Sequence, residues 1–169
     1  MNTGPLYEHQ EIINLPVPRY TSNKQTFGNT TMASKQTFFD TWTPRGLALL
    51  RIVAAFLFLQ HGASKLLHFP HVAMFDGVTL FSFMGFAAVL ELVGGGLLLL
   101  GLFTRPVAFI LSGQMAVAYF IAHAPQGNFL SPMMNQGEAA VLYCFVFLFL
   151  SLAGSGAWSI DAARRGTES

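Results

Sequence analysis

The chain has 169 residues, of which 53% are hydrophobic and only 10% are charged, and its formal net charge is +1. Because soluble domains carry roughly 25% charged residues, this composition excludes an ordinary soluble domain and indicates an integral protein of a lipid bilayer. No basic run is present, so we expect no nucleic-acid partner. The single Cys144 lies in an apolar run, which excludes a disulfide framework and a CxxC redox pair.

The first 40 residues are polar, include three prolines and contain no apolar run of membrane length. They also lack the charged start, apolar stretch and small-residue cleavage site of a signal peptide. We therefore predict a disordered cytoplasmic tail over residues 1–40. Met32 offers a second start, so the first 31 residues need not always be translated. A second, short cytoplasmic tail is predicted over residues 162–169.

Four apolar segments follow the tail, each close to the ~20 residues with which a helix crosses ~30 Å of hydrocarbon. They cover about residues 44–67, 79–101, 106–123 and 137–154. Strands of a membrane barrel would alternate apolar and polar residues, and these segments do not. The sequence therefore predicts an all-α fold, a four-helix transmembrane bundle over residues 41–161. The first helix is expected to start near Pro44, since an early helical position does not need the missing N–H.

The distribution of basic residues predicts the orientation of the bundle. Four spans place both termini and the connection between the second and third helices on one side. That side collects Arg19, Lys24, Lys35, Arg45, Arg105, Arg164 and Arg165. The opposite side holds only Lys65. The positive-inside rule therefore predicts that both termini are cytoplasmic.

Two ionisable residues lie within the predicted spans near the inner side. From a rise of ~1.5 Å per residue, Arg51 is roughly 9 Å and Glu91 roughly 15 Å from the inner boundary. An ionisable side chain in hydrocarbon costs at least a few kcal/mol, so each needs a partner or a route to water. We predict a buried Arg51–Glu91 ion pair. Alternatively, Arg51 extends to the inner headgroups while a protonated Glu91 is hydrogen-bonded locally.

A second polar group is predicted near the outer boundary. His61 and Lys65 are four residues apart and share one helix face. His123 closes the third apolar segment and Glu138 opens the fourth, so all four residues are expected at one level. They form our candidate outer polar site. The alternative is structural, since Lys65 and Glu138 would also complement the helix dipoles and each histidine would simply pack.

No catalytic residue and no certain cofactor can be named from these groups. A quinone fits most easily, because its carbonyls need one or two donors beside an apolar wall. Phe58, Tyr119 and Phe120 are candidates for that wall or, alternatively, ordinary core. A haem held by His61 and His123 has no further support in the chain. His61, His123 and Glu138 have the right ligand types for a metal but no short ligand spacing, so we predict no metal site.

Three elements in chain order carry a family resemblance. They are Arg51 with His61-Gly62-x-x-Lys65-Leu66, Glu91-x-x-Gly94-Gly95 with Leu99-x-Gly101-x-x-Thr104-Arg105, and residues 135–140 with residues 154–161. Together they cover about residues 44–161, and in this order they resemble the DoxX family of small four-helix membrane proteins. The resemblance implies a bacterial inner-membrane protein linked to membrane oxidoreductase assemblies. The related DoxD-type proteins form a subunit of thiosulfate:quinone oxidoreductase.

By position, the resemblance also gives a polar signature without agreed chemical roles, namely Arg51, His61, Lys65, Glu91 and Glu138. Our leading hypothesis is a component of a redox or quinone-linked membrane system without autonomous catalysis, at most a subunit of an oxidoreductase. Redox-enzyme subunits or further copies of the chain are its candidate protein partners. The alternatives are a small transporter or permeability factor with a hydrophilic path, and a purely structural bundle whose polar pairs fix helix register.

Overall fold

The computed structural model describes the backbone of residues 29–167 and the side chains of residues 37–166. All regular structure in this part of the chain is helical, as predicted. The main helices are α1 (Asn29–Leu67), α2 (Phe83–Leu100), α3 (Thr104–Ala118), α4 (Glu138–Ala153) and α5 (Ile160–Thr167). A π-helical turn, Tyr119–His123, and a 3₁₀ turn, Ala124–Gln126, continue α3, and a second 3₁₀ turn lies at Ala73–Phe75.

Helices α1 to α4 form the predicted four-helix bundle. α1 packs mainly on α2 and α3 mainly on α4, and contacts between α2 and α3 join the two pairs. The helical stretches 37–67, 83–100 and 104–126 are long and apolar enough to cross a membrane, whereas α4 is apolar but has 16 residues. We call the end with residues 68–82 and 124–137 the loop end, and the opposite one the Arg51 end.

The first helix is longer than the sequence predicts. α1 begins at Asn29, so residues 29–40 of the predicted tail are helical, while residues 1–28 lie outside the described part. Pro44 lies inside this helix and not at its start. A proline inside a helix removes one N–H bond and crowds the carbonyl one turn earlier, which can bend a helix without ending it. Residues 29–43 contain no glycine or further proline that would end the helix. The carbonyl of Pro44 also accepts the N–H of Ala157, at 2.9 Å.

Large apolar side chains cover the outside of the bundle. Among those facing outward are Phe56, Phe86, Phe109, Leu142, Phe145 and Leu152. Arg51 and Glu91, in contrast, are only 0% and 2% exposed. A water-soluble bundle would show the opposite arrangement, because exposed apolar surface of this extent is unfavourable in water. The apolar outer surface is suited to lipid, and the backbone groups are satisfied within the helices as a bilayer requires.

Glycines bring α1 and α2 into close contact. A β-carbon on Gly62 would lie 2.5 Å from the backbone nitrogen of Leu92 and 2.9 Å from the carbonyl oxygen of Ala88. One on Gly95 would lie 3.1 Å from the α-carbon of Leu59. Small residues allow such approaches in membrane helices, where close packing is a main source of association energy. The distance between α1 and α2 therefore depends on Gly62.

We expect Gly62→Ala to lower the free energy of unfolding by roughly 1–3 kcal/mol, because the added methyl group would collide with the backbone of α2. Gly113→Ala is the matched control, since nothing lies within 4 Å of a β-carbon at that helical position. There the change should raise helix stability by about 0.5–1 kcal/mol. Thermal unfolding in detergent, followed by circular dichroism, measures both. Equal changes in the unfolding temperature of the two variants would contradict the close contact between α1 and α2 at Gly62.

Candidate functional site

At the Arg51 end, the Arg51 side chain is fully buried and binds four backbone carbonyl groups. Its Nη1 donates to Leu98 O at 2.5 Å and to Leu99 O at 2.7 Å. Its Nε and Nη2 donate to Ser155 O at 2.9 Å and to Trp158 O at 2.8 Å. The last carbonyls of a helix lack helical partners and carry partial negative charge. Arg51 therefore ties α1 to the end of α2 and to the segment after α4.

Asp161 completes this junction from α5. Its carboxylate accepts the backbone N–H groups of Phe103 at 2.9 Å and Thr104 at 2.8 Å, where α3 begins. Burial raises the pKa of Asp161, but these N–H bonds and the nearby charge of Arg165 outweigh burial and hold the pKa below its ordinary value. Gly101 has φ +67°, and a β-carbon there would lie 3.0 Å from Arg51 Cζ. These contacts join α1, the end of α2, the start of α3 and α5.

The predicted Arg51–Glu91 ion pair is not formed. Glu91 pairs with Lys65 instead, whose Nζ lies 2.7 Å from Oε1 and 2.8 Å from Oε2. The depth estimate placed Lys65 at the outer boundary, but its long side chain extends back into the bundle toward Glu91. The guanidinium of Arg51 donates to four carbonyl groups, and these take the place of the predicted carboxylate.

The Lys65–Glu91 pair is largely shielded from solvent, with the two side chains 11% and 3% exposed. Gln114 on α3 donates from Nε2 to Glu91 Oε1 at 3.2 Å and to Ala87 O at 3.1 Å. The Lys65 Nζ also lies 5.5 Å from the ring centroid of Phe75 in the first loop. Three helices and one loop therefore converge on one ion pair. Gln114 was not among the predicted site residues, although an amide within an apolar span is visible in the sequence.

A cavity of about 660 Å³ opens beside this ion pair at the loop end. Most of its wall is apolar, with Phe83, Leu90, Ile110, Val117 and Ile121 among the lining residues. The polar lining side chains are His61, Lys65, Glu91, Gln114, His123, Gln126, Gln136 and Tyr143. Cavities of this size, apolar with a few convergent polar groups, are typical of sites for small organic molecules.

The cavity brings together three of the four residues of the candidate outer site. His61, Lys65 and His123 line it, whereas Glu138 is exposed at the start of α4 and does not. The His61 ring packs edge-on against Tyr143, with centroids 6.2 Å apart, and His123 Nδ1 lies 3.1 Å from Asn135 O. The sequence therefore named three of the residues that line this cavity and assigned Glu91 to the inner ion pair, but it did not single out Gln114, Gln126 or Gln136.

Of the three aromatic residues predicted for the wall, only Phe58 lines the cavity. The Tyr119 hydroxyl donates to Phe129 O and accepts from Asn135 Nδ2 at 3.2 Å, so it stabilises the loop after α3. Phe120 is exposed on the outer surface. Across residues 37–166, no group of three or more His, Cys, Asp or Glu side chains is placed to hold a metal ion. His61, His123 and Glu138 therefore do not form a ligand set.

The cavity can accept a flat molecule with polar ring substituents, such as a quinone. No described hydrogen bond uses the His61 ring, so a ring nitrogen is available to a ligand. Lys65 has three N–H groups, and Glu91 accepts two of them. An apolar tail would leave between α2 and α3, because the lining residues Phe86, Ile110 and Val117 also belong to the outer apolar surface.

Comparison with known proteins identifies relatives across the bundle. A protein of Haemophilus influenzae with the name "Uncharacterized protein" is 46% identical over 125 residues, which cover 72% of this chain and 92% of the relative. A Bacillus subtilis protein named "Putative oxidoreductase CatD" is 30% identical over 118 residues, covering 69% of this chain and 84% of that protein. No solved structure gives a significant match. The family model of DoxX matches residues 46–124, and with the apolar helices this shows that the chain is a membrane protein of the DoxX family.

Proposed function

We propose that this chain is a membrane component of a quinone-linked redox system, and that its cavity binds the quinone head group. The observation that carries the proposal is the cavity itself, which combines a lipid-accessible apolar wall with His61 and the Lys65–Glu91–Gln114 cluster. The name of the Bacillus subtilis relative, an oxidoreductase, agrees with a redox role.

In this proposal each polar side chain has a defined task. His61 and the remaining N–H of Lys65 donate hydrogen bonds to a ring carbonyl, while Glu91 holds Lys65 in place. Gln114 fixes the orientation of the Glu91 carboxylate. The apolar wall excludes water, which strengthens these polar contacts. The chain supplies binding and orientation, and electrons come from a partner subunit of the redox system.

The proposed location is the bacterial inner membrane, with four passes and both termini in the cytoplasm. Arg45, Arg105, Arg164 and Arg165 belong to the Arg51 end, while Lys65 is the one lysine or arginine toward the loop end within residues 37–166. This asymmetry supports a cytoplasmic Arg51 end. The cavity would then lie in the outer half of the membrane.

The transporter hypothesis has less support. A permeation path needs polar side chains from one end of the bundle to the other. Ala55 and Phe58 on α1 and Leu98 and Leu111 on the neighbouring helices form a packed apolar core between Arg51 and the cavity. The guanidinium of Arg51 is also committed to four carbonyl groups. The two polar layers of the described bundle are therefore separate.

Binding of ubiquinone-1 or a short menaquinone to the purified protein tests the proposal. We expect His61→Ala to weaken binding by about ten-fold, since one lost hydrogen bond of roughly 1–1.5 kcal/mol corresponds to that change. His71→Ala is the control, because His71 bonds Asp76 in the exposed loop at 2.9 Å and does not line the cavity. Quenching of protein fluorescence by the quinone provides the measurement. No saturable binding, or equal affinity of the His61 variant, would refute the proposal.

A further inference from the structure

A second cluster of positive charge lies at the Arg51 end, outside the cavity. The Arg105 guanidinium lies against the backbone of Gly154, with Nε 3.4 Å from the position of a β-carbon there. Arg165 Nη2 donates to the hydroxyl of the next residue, Ser155, at 3.3 Å. The two exposed arginines, from α3 and α5, therefore flank consecutive residues of the segment after α4. The Arg164 guanidinium lies 5.8 Å from the ring centroid of Phe103 at the same junction.

Among the residues whose side chains are described, few negative charges lie in the segments that carry this cluster. Asp161 is the only carboxylate within residues 101–106 and 154–166. Both of its oxygens accept backbone N–H groups at the start of α3, although its charge is near enough to Arg165 to interact. Neither Arg105 nor Arg165 forms an ion pair with a described residue. Two exposed guanidinium groups that flank consecutive residues favour an anion with several oxygens, and a phosphate is the best match.

Apolar side chains continue from the cluster along the outside of the bundle. Phe109 lies one helical turn beyond Arg105 on the same face of α3, and Leu152 precedes Gly154 near the end of α4; both are exposed. Two aromatic residues are exposed at this junction: Phe103, which lies under Arg164, and Trp158 in the segment before α5. Aromatic rings with basic groups at a helix end are typical of the boundary between hydrocarbon and headgroups.

From this arrangement we propose that Arg105 and Arg165 bind the phosphate of an anionic phospholipid, whose acyl chains lie along Phe109 and Leu152. A free phosphate would use the arginines alone, whereas a lipid uses both the charged cluster and the apolar surface next to it. Basic clusters between helices on the cytoplasmic side of membrane proteins are known sites for anionic headgroups. The site would hold the α3–α4–α5 junction at the membrane surface. It does not depend on what the cavity binds.

Native mass spectrometry of the detergent-purified chain tests the proposal, with dioleoyl phosphatidylglycerol and dioleoyl phosphatidylcholine as competing probes. The unmodified chain should prefer phosphatidylglycerol. We expect Arg105→Gln and Arg165→Gln each to lower that preference about five-fold, since a basic residue near the surface contributes about 1 kcal/mol. Arg105→Lys should keep most of it. Arg45→Gln is the matched control, because Arg45 lies over Trp42 on α1, 5.2 Å from the ring centroid, and should change the preference less than two-fold.

Three results would overturn the proposal. The first is an equal loss in Arg45→Gln, which would indicate general attraction between charges. The second is competition by millimolar inorganic phosphate, which would indicate a site for a free anion. The third is equal binding of both lipids by the unmodified chain. Circular dichroism spectra that match the unmodified chain will show that the variants are folded, and quinone binding that stays unchanged will separate this site from the cavity.

Discussion

Replacement of Lys65 by methionine is expected to lower the free energy of unfolding by about 3–5 kcal/mol. The change leaves the Glu91 carboxylate buried without its cation, and removing one partner of a buried ion pair has a cost of this size. Gln114 alone would remain as a hydrogen-bond donor to Glu91. Unfolding in detergent by urea or heat measures the loss.

The double variant Lys65→Met/Glu91→Gln provides the decisive comparison. It removes both charges, so we expect it to recover most of the lost stability. Lys65→Met combined with Arg51→Met should instead add two separate losses, because Arg51 and Glu91 are not paired. The pairing of Lys65 with Glu91 would be contradicted if stability recovered in Lys65→Met/Arg51→Met and did not recover in Lys65→Met/Glu91→Gln.

Arg51→Met is expected to cost about 3–5 kcal/mol for a different reason. Four carbonyl groups lose a charged donor at once. The Leu98 carbonyl keeps the N–H of Gly101 at 3.0 Å, but the buried Ser155 carbonyl loses its donor. Arg51→Lys should recover little, because one ammonium cannot reproduce the three nitrogen atoms of a guanidinium spread over the end of α2 and residues 155–158.

Arg45→Lys is the matched control for Arg51→Lys, since Arg45 is only partly enclosed and should change stability by less than about 0.5 kcal/mol. Limited proteolysis adds a local measurement, because loss of Arg51 should expose the segment 154–159 before the bundle as a whole unfolds. If Arg51→Lys were as stable as the unmodified chain, the carbonyl contacts would have no energetic importance.

Helix content and the membrane class were predictable because they depend on local composition. Apolar runs of about 20 residues must be helical in a bilayer, whatever surrounds them. The limits of the helices were less predictable. α1 continues through Pro44, and α3 begins at Thr104 because Asp161, distant in sequence, caps it.

The ionisable residues of the cavity and of the Arg51 end were also visible in the sequence, because ionisable groups are rare in apolar spans. Arg51, His61, Lys65, Glu91 and His123 all belong to a polar layer of the bundle. Which partner each one has was not visible. Depth along a helix does not give the direction of a side chain, and a lysine or arginine side chain extends over more than one helical turn.

Sequence alone therefore determined the membrane class, the four apolar helices and the polar residues that are unfavourable in hydrocarbon. Each of these follows from the free energy of transferring side chains and backbone from water to lipid. Only the tertiary structure decided that Lys65 neutralises Glu91 and that Arg51 binds carbonyl groups. It also decided that Glu138 lies outside the cavity while Gln114 completes the cluster. Pairing depends on how helices are rotated and how closely they approach, and contacts such as Gly62 against Leu92 set both.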